Sequence, residues 1–544
     1  MFRTGFIARN VEAALNHKYD IAVVGSGFGG SLIAMIAKRL GRSVVLVDKG
    51  KHPRVVIGES STPLTNLLLE ELTIRYDLPS LRPLAKWGTW QRAYPEVACG
   101  LKRGFTFYHH DLGKPTLSPP DRMKQLLVAA SPNREIADTH WYRADFDHLL
   151  VREAQNLGVD YFDETSLTSV TQSDSGITLH GKRDGRDLTL SAKFLIDASG
   201  PRGFLHQALG LCELGLPNYP RTQALYSHFT GVTRLDHTTF GVNDEEPPYP
   251  IDDAAVHHVF NGGWVWVLRF NNGVTSAGIA ATDAFTSELN FTSGAAAWRR
   301  ILDSIPALRD QFACARPVRP FTHIPRLSFR SSAITGNRWA MLPSAAGFVD
   351  PLLSTGFPLT LLGIGRLAEL IEYDLDSSHL TTRLEAYATT TEDESLATGG
   401  LIASLYANMN DFPVFSALSM IYFAAASYSE TTRRLGKPHL APSFLLHDHP
   451  AFGPAVRELL KRARLPRTQD DSTRLVEDIL RAVEPFNVAG LGDPRRANWY
   501  PVNPEDMFRS AWKVGATQDD ISRMLQRYGF EIPFSPTKES FSYS

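Results

Sequence analysis

The glycine-rich segment Gly25-Ser26-Gly27-Phe28-Gly29-Gly30 constrains the fold of this chain more than any other feature. It follows a β-rich run at 19–24 and precedes a stretch at 31–40 whose apolar residues have helical spacing. A second apolar run at 43–48 ends in Asp48. This order predicts a βαβ unit whose glycines permit the tight turn, the approach of a pyrophosphate and close helix packing. A fingerprint in this context predicts a dinucleotide site contacted by Gly25, Gly27, Gly30 and Asp48.

Composition and charge limit the classes of protein around this unit. The chain has 544 residues, 43% apolar and 21% charged, so a large core is expected and wholesale disorder is not. The net charge of −2 gives no electrostatic reason to expect a nucleic-acid partner. The three cysteines (Cys99, Cys212, Cys314) lie far apart in sequence, which predicts no metal site and fits a reducing compartment.

The apolar segments predict a cytoplasmic protein with no membrane span. The first eighteen residues carry Arg3, Arg9 and Lys18 but no apolar run of the kind found in secretory signals. The longest apolar stretch, Phe415–Tyr428, has about 14 residues, which is too short to cross a bilayer. We therefore expect a buried helix or an apolar entrance wall there.

A second glycine match at 363–368 predicts a helix and not a separate NADPH site. No β-rich run precedes it, and Leu361, Ile364 and Leu367 have helical spacing. The chain therefore carries one nucleotide fingerprint. Further along the same module, residues 193–200 predict a strand that ends at Asp197 in a turn of small residues.

Three regions are predicted along the chain. Residues 1–18 form an N-terminal extension, and 19–370 form the nucleotide-binding module. An antiparallel sheet at about 215–315 is inserted in this module, because short β-like runs alternate there with turns. Residues 371–544 form a mainly helical region that covers the substrate. The polar sequence after Pro533 is expected to fray.

Five further segments occur in a characteristic order. They are Gly58-Glu59-Ser60-Ser61-Thr62-Pro63, Lys102 within 99–107, Arg143 within 142–147, Trp264-Val265-Trp266-Val267-Leu268, and 346–356 with Asp350, Thr355 and Gly356. From about residue 19 to 370 this series resembles the flavin-dependent halogenases, especially the branch acting on free phenolic substrates. The resemblance implies an α/β fold with a Rossmann-like FAD-binding domain of the p-hydroxybenzoate-hydroxylase type, an antiparallel substrate-side sheet and a C-terminal helical region.

The resemblance also implies roles for single residues. FAD is expected to contact Gly25, Gly27, Phe28, Gly30, Asp48, Lys49, Glu59, Ser60, Arg143, Asp197, Asp350 and Gly356. Thr355 and Gly356 would bind chloride or bromide, and Lys102 would direct the hypohalous acid onto a small electron-rich aromatic substrate. Trp264 and Trp266 would separate flavin from substrate.

The same resemblance implies the partners. FADH2 would come from a separate NAD(P)H:flavin reductase, and no metal is implied. The sequence leaves a homodimer open.

Departures from the family pattern keep alternatives open. Pro343-Ser344 stands in place of Gly-Asp, and Leu268-Arg269 in place of Ile-Pro. Leu353 replaces the glutamate of tryptophan-type halogenases, which argues against that branch and leaves the phenol-deprotonating base unidentified. The alternatives are a single-component aromatic hydroxylase or epoxidase, and a non-halogenating flavoprotein that binds a carrier-protein or isoprenoid partner. A possible base constellation, His109, His110 and Asp111, is predicted to be a solvent-exposed loop instead.

Overall fold

The computed structural model describes residues 18–114, 122–237 and 246–530. Apart from Lys18, the predicted N-terminal extension lies outside these ranges, as does the tail after Pro533.

A mainly parallel sheet forms the base of the nucleotide-binding module. Its strands are β1 (Lys18–Val24), β2 (Val44–Val47), β7 (Asp160–Phe162), β8 (Thr165–Ser173), β9 (Gly176–Arg183), β10 (Arg186–Asp197), β19 (Thr335–Gly336) and β20 (Trp339–Met341). Among the described residues they run in the order β19-β20-β10-β1-β2-β7, with β8 and β9 joined through β10. Because β1 lies parallel to both β2 and β10, the carboxyl ends of all three strands meet at one edge.

A second sheet is larger than the predicted insertion. Its strands are β4 (Gly104–His109), β5 (Gln125–Ala129), β12 (Thr222–Thr230), β13 (Ala255–Phe260), β14 (Gly263–Arg269), β15 (Thr275–Thr282), β16 (Arg316–Pro317), β17 (Thr322–Ile324) and β22 (Trp499–Tyr500). It is mostly antiparallel, but β13 pairs with β4, and β5 with β22, in parallel. The strands β4, β5 and β22 come from far outside 215–315, and pairing between such distant segments leaves no local pattern to detect.

Five short strands complete the sheets of the described residues. The strands β3 (Cys99–Lys102) and β6 (Asp138–Trp141) form an antiparallel ladder, and β11 (Glu213–Leu214), β18 (Phe329–Ser331) and β21 (Gly347–Phe348) form a small sheet.

The helices surround the two sheets. They are α1 (Phe28–Arg39), α2 (Pro63–Arg75), α3 (Trp87–Ala93), α4 (Arg143–Asn156), α5 (Phe204–Ala208), α6 (Asp283–Leu289), α7 (Ala295–Ser304), α8 (Pro306–Gln311), α9 (Pro343–Ala346), α10 (Gly356–Tyr373), α11 (Leu380–Tyr406), α12 (Phe412–Arg434), α13 (Phe452–Ala463), α14 (Gln469–Val483), α15 (Pro504–Arg509) and α16 (Gln518–Arg527). Helix α1 begins three residues before the predicted start. Helix α10 includes residues 363–368, which confirms the prediction that this glycine match is helical.

Helix α12 contains the longest apolar stretch of the sequence. Within the part of the chain that the structure describes, it alone is long and apolar enough to cross a membrane, but 83% of its apolar window is buried in the protein. Such burial is typical of a core helix and agrees with the predicted buried helix, although the helix of 23 residues is longer than the apolar run on which the length argument was based. The α/β fold with a helical C-terminal region agrees with the predicted fold class.

Candidate active site

A cleft of about 820 Å³ opens at the edge where β1, β2 and β10 end. Thirteen of the predicted site residues line it: Gly25, Gly27, Phe28, Asp48, Lys49, Glu59, Ser60, Arg143, Trp264, Trp266, Asp350, Thr355 and Gly356. The other three, Gly30, Asp197 and Lys102, are not in its lining. A larger cavity of about 1390 Å³ lies among helices α11 and α13. The smaller cleft is the candidate site because it holds the glycine turn.

The three fingerprint glycines differ in what the fold requires of them. Gly25 has a φ of +101°, and a Cβ there would lie 2.5 Å from the carbonyl oxygen of Ala198. A Cβ on Gly30 would overlap the carbonyl oxygen of Gly25. Gly27 has a φ of −67°, and the nearest atom to an added Cβ would be a guanidinium nitrogen of Arg143 at 3.5 Å. The fold therefore needs glycine at 25 and 30, whereas position 27 keeps space free in the cleft.

Asp48 stands at the end of β2 as predicted, but protein groups already surround its carboxylate. It accepts hydrogen bonds from the Ser26 N–H (2.6 Å), the Gly50 N–H (2.8 Å) and both terminal nitrogens of Arg54 (2.5 and 2.6 Å). Burial opposes ionisation, yet the Arg54 charge and these hydrogen bonds together hold the pKa of Asp48 below its usual value. Asp48 is thus ionised and fixed in place.

Asp197 and Arg143 organise the backbone around the cleft. Buried Asp197 accepts hydrogen bonds from the N–H groups of Ser199 and Leu205, so it shapes the turn after β10. Arg143, at the start of α4, makes a bidentate ion pair with buried Asp147 (2.8 and 2.7 Å). Its third nitrogen donates to the carbonyl of Gly58 at 2.9 Å, which ties the 58–63 loop to α4.

A strained turn precedes α10 on the opposite side of the cleft. Leu353 and Ser354 have φ values of 63° and 54°, a left-handed conformation that is uncommon outside glycine. Asp350 supports the turn, because its carboxylate accepts from the Leu352 N–H at 2.9 Å and from two tyrosine hydroxyls. Burial raises the pKa of Asp350 to about 6. Thr355 and Gly356 follow at the beginning of α10.

Trp264 and Trp266 project from the same face of β14, with ring centroids 5.7 Å apart. The Trp264 indole donates to the Tyr406 hydroxyl at 3.1 Å, and that hydroxyl donates to Asp350 at 3.0 Å. The Trp266 indole donates to the Ser276 hydroxyl at 3.3 Å. The strand, the cleft wall and the strained turn therefore belong to one hydrogen-bonded unit.

Lys102 is fully buried at the end of β3. Its Nζ donates to the Ser60 hydroxyl at 2.8 Å and to the Ser61 carbonyl at 2.6 Å, and it lies 3.8 Å from the ring centre of Phe105. Burial lowers the pKa of Lys102 below its usual value, and the charge of Asp138 opposes this effect. Since Ser60 lines the cleft, one hydroxyl separates the cleft from the lysine.

Aromatic rings fill the space between Lys102 and the tryptophans. From the cleft inward, Trp264 is followed by His257 (centroids 5.4 Å apart), Phe107 (4.4 Å) and Phe105 (6.3 Å). Burial lowers the pKa of His257 to about 3, so its ring is neutral. Phe415, Tyr422 and Phe423 of α12 pack against Phe105 and Phe107. The amine thus lies in a dry, aromatic environment.

Comparison with known proteins identifies the family to which the chain is related. The tryptophan halogenase family model matches residues 139–407. The chain is 28% identical over 419 residues to tetracycline 7-halogenase of Kitasatospora aureofaciens, covering 75% of this chain and 73% of the relative. It is 28% identical over 414 residues to monodechloroaminopyrrolnitrin halogenase PrnC of Pseudomonas fluorescens, covering 75% and 71%. The protein belongs to the flavin-dependent halogenases of this family.

Solved structures agree with the fold of this halogenase. The crystal structure of halogenase PltM in complex with phloroglucinol and FAD superimposes with a TM-score of 0.80, at 23% identity, and covers 89% of this chain and 100% of PltM. Flavin-dependent halogenases use FAD and a halide, and they need an aromatic substrate and a separate flavin reductase. FAD and halide therefore stand as the cofactors of this halogenase.

One sequence prediction about the halogenase is wrong. His109 and His110 are buried and not in a solvent-exposed loop, because β4 is an interior strand paired with both β13 and β5. The His109 ring lies 2.9 Å from the Met409 carbonyl, and the His110 ring lies 2.9 Å from that of His258. Asp111 is exposed and pairs with Lys124. These histidines therefore belong to the core of the second sheet.

Sequence reasoning missed two site residues of the halogenase. His228 of β12 lies 2.8 Å from a carboxylate oxygen of Glu59, and both side chains are buried. The other oxygen of Glu59 is buried without a hydrogen-bond partner among the described residues, although Glu59 lines the cleft. Asp138 of β6 lies directly opposite Lys102 in the β3–β6 ladder. Neither residue carries a local signal, since each meets its partner only through the fold.

Proposed function

We propose that this halogenase places chlorine or bromine on a free phenolic ring and that Lys102 directs the hypohalous acid to the ring. The observation that carries the proposal is the environment of the lysine. A fully buried amine, lowered in pKa and reached from the cleft through Ser60, can bind the oxidant as a donor or form a haloamine.

The residues of the cleft fit FAD. The N-terminus of α1 opens on it, and the first-turn N–H groups of a helix are suited to a pyrophosphate. Gly27 leaves room for the close approach of the pyrophosphate, and the unpartnered oxygen of Glu59 can accept a hydrogen bond from the cofactor. We assign FAD contacts to those of the predicted FAD-binding residues that line the cleft. Gly30 and Asp197 do not line it, and we propose that they stabilise the glycine turn and the turn after β10.

Different groups of this chain would carry out different parts of the reaction. FAD, reduced and reacting with dioxygen, supplies the oxidising equivalent that converts halide to hypohalous acid. The turn at Thr355 and Gly356 would hold the halide through backbone N–H groups. Trp264 and Trp266 would keep the substrate away from the cleft, and the dry rings beyond them would keep water from the oxidant. Lys102 would then present the halogen to the aromatic carbon.

The aromatic lining around the lysine supports the proposed substrate class. Phe105, Phe107 and the aromatic residues of α12 offer faces and edges suited to an aromatic ring. PltM, which shares the fold, is known in complex with phloroglucinol, a polyphenol. We therefore propose a free phenol and not the tryptophan implied by the family name, in keeping with Leu353 at the position where tryptophan-type halogenases have a glutamate.

The test measures halogenated product per FADH2 oxidised. Lys102→Met keeps most of the side-chain volume and removes the amine, so the ratio should fall about 100-fold or more while FAD binding and flavin reoxidation persist. Lys102→Arg should fail as well, because guanidinium stays charged. Lys193→Ala, which removes an exposed lysine paired with Asp20, is the control and should leave the ratio unchanged.

Two outcomes would reject the proposal. A wild-type ratio in Lys102→Met would remove the lysine from the mechanism. An oxygenated product formed equally well without halide would favour the single-component hydroxylase, especially if the purified protein oxidised NADPH without a reductase.

A further inference from the structure

A second buried ionisable group faces the lysine. Lys102 and Asp138 are directly paired in the antiparallel ladder of β3 and β6, so their side chains project from the same face. Lys102 is 0% exposed and Asp138 is 5% exposed. One carboxylate oxygen of Asp138 accepts from the Asn66 amide at 2.9 Å. The other is buried and has no hydrogen-bond partner within the described ranges.

An unpartnered buried carboxylate oxygen is costly, and it therefore calls for an explanation. The side chains of cross-strand partners start from Cβ atoms about 5 Å apart, so rotation of the long lysine chain brings Nζ to the free oxygen of Asp138. In the structure Nζ is turned instead toward Ser60 and Ser61. The ladder therefore offers the amine a second partner, the free oxygen of Asp138, besides Ser60 and Ser61.

We propose that Asp138 is a positioning residue that exchanges a proton with Lys102 and so sets whether the lysine is an ammonium or a free amine. The inference rests on the proposed role of Lys102. That role requires a neutral amine, because an ammonium has no lone pair with which to take up a halogen.

The proton and the halogen balance through the cycle. The proton moves from the Lys102 ammonium to the Asp138 carboxylate. The amine then attacks hypohalous acid, the N–X bond forms as the O–X bond breaks, and hydroxide leaves with an amine proton as water. Transfer to the ring forms the C–X bond and breaks the N–X bond, and the displaced ring proton restores the amine. No proton needs to cross from bulk water before the halogen is taken up.

The surrounding charges support this pairing. Burial raises the pKa of Asp138 and lowers that of Lys102, which brings the ionised and neutral forms of the pair closer in free energy than they would be in water. On α12, Glu430 and Arg434 act on Asp138 with opposite sign and are paired with each other. The remaining titratable neighbours are Tyr422, His140 and His257, and burial keeps all three neutral.

The test compares wild type with Asp138→Asn and Asp138→Glu. Loss of the carboxylate charge leaves the amine with the effect of burial alone, so its pKa should fall. A ¹³Cε-lysine NMR titration, assigned with Lys102→Met, should place the Lys102 midpoint at least one pH unit lower in Asp138→Asn, even without FAD. The pH profile of product per FADH2 oxidised should move in the same direction, and Asp138→Glu should return both toward wild type.

The outcomes separate this inference from the proposed function. If Lys102→Met lowers the ratio but Asp138→Asn shifts neither the titration nor the pH profile, the inference fails and the lysine mechanism stands. A shifted titration with an unshifted profile also overturns the inference, because the carboxylate would then not control the reacting form. A wild-type ratio in Lys102→Met rejects the proposed function itself.

Discussion

Gly27 and Gly30 belong to one fingerprint, yet the structure predicts opposite consequences for their replacement by alanine. At Gly27 the added methyl group meets no atom closer than 3.5 Å, and its φ of −67° suits alanine. At Gly30 the methyl group would overlap the carbonyl oxygen of Gly25 and lie 3.0 Å from the Cβ of Ala198. Gly27→Ala should therefore hinder only the binding of the cofactor in the cleft, whereas Gly30→Ala should disrupt the glycine turn itself.

The expected magnitudes differ accordingly. Gly27→Ala should change the free energy of unfolding of the FAD-free protein by less than about 1 kcal/mol. A methyl group forced against a bound pyrophosphate costs about 1–3 kcal/mol, which raises the Kd for FAD by roughly 5- to 160-fold. Gly30→Ala should instead lower the free energy of unfolding by about 1–3 kcal/mol or more, because backbone atoms must move.

Two measurements on each variant test this contrast. Urea unfolding of the FAD-free protein gives stability, and titration of flavin fluorescence gives the Kd for FAD. The reasoning is refuted if Gly27→Ala binds FAD as tightly as wild type, or if it is destabilised as much as Gly30→Ala. Either result would mean that glycine at position 27 is not needed to leave space for the cofactor.

Two further predictions concern the turn before α10. Gly356→Ala should leave the thermal midpoint of unfolding unchanged, since no atom lies within 4 Å of the added Cβ. It should raise the halide concentration that gives half-maximal product formation about 5-fold or more. An unchanged halide dependence would contradict the proposed halide site. Because the folded-state pKa of Asp350 is raised to about 6 from 3.8, its protonation should stabilise the FAD-free protein by about 3 kcal/mol in total, a gain that develops as the pH falls from above about 6 to below about 4. Asp350→Asn should abolish that gain in urea unfolding, and an equal pH dependence in both proteins would disprove it.

The sequence predicts well wherever a feature is local. The βαβ unit, the helix over 363–368 and the buried helix at 415–428 each depend on spacing within about 30 residues, and all three are confirmed. The wrong prediction for His109 and His110 has the opposite cause. Their polar character indicated exposure, but β13, which comes from a distant part of the sequence, and β5, which follows β4, enclose the strand on both sides.

The candidate site divides in the same way. Its motif residues are recognisable because each lies in a short, ordered segment. The pairings of Glu59 with His228 and of Lys102 with Asp138 span 169 and 36 residues, and no spacing rule joins them. The register of β3 and β6 brings Lys102 to Asp138, and the position of the 58–63 loop beside β12 brings Glu59 to His228, so the electrostatics of the site could not be read from the motifs.

The parallel pairing of β22 with β5 has a consequence for biosynthesis. Trp499 and Tyr500 cover the edge presented by Leu127 and Val128, and the Trp499 indole also donates to Gln125 at 3.1 Å. At about 5–20 residues per second, a ribosome needs roughly 20–75 s to pass from one strand to the other. During that interval the edge of β5 is open to other nascent chains, which is a known route to aggregation. A shortened chain that stops before Trp499 retains every cleft residue but keeps that edge open permanently.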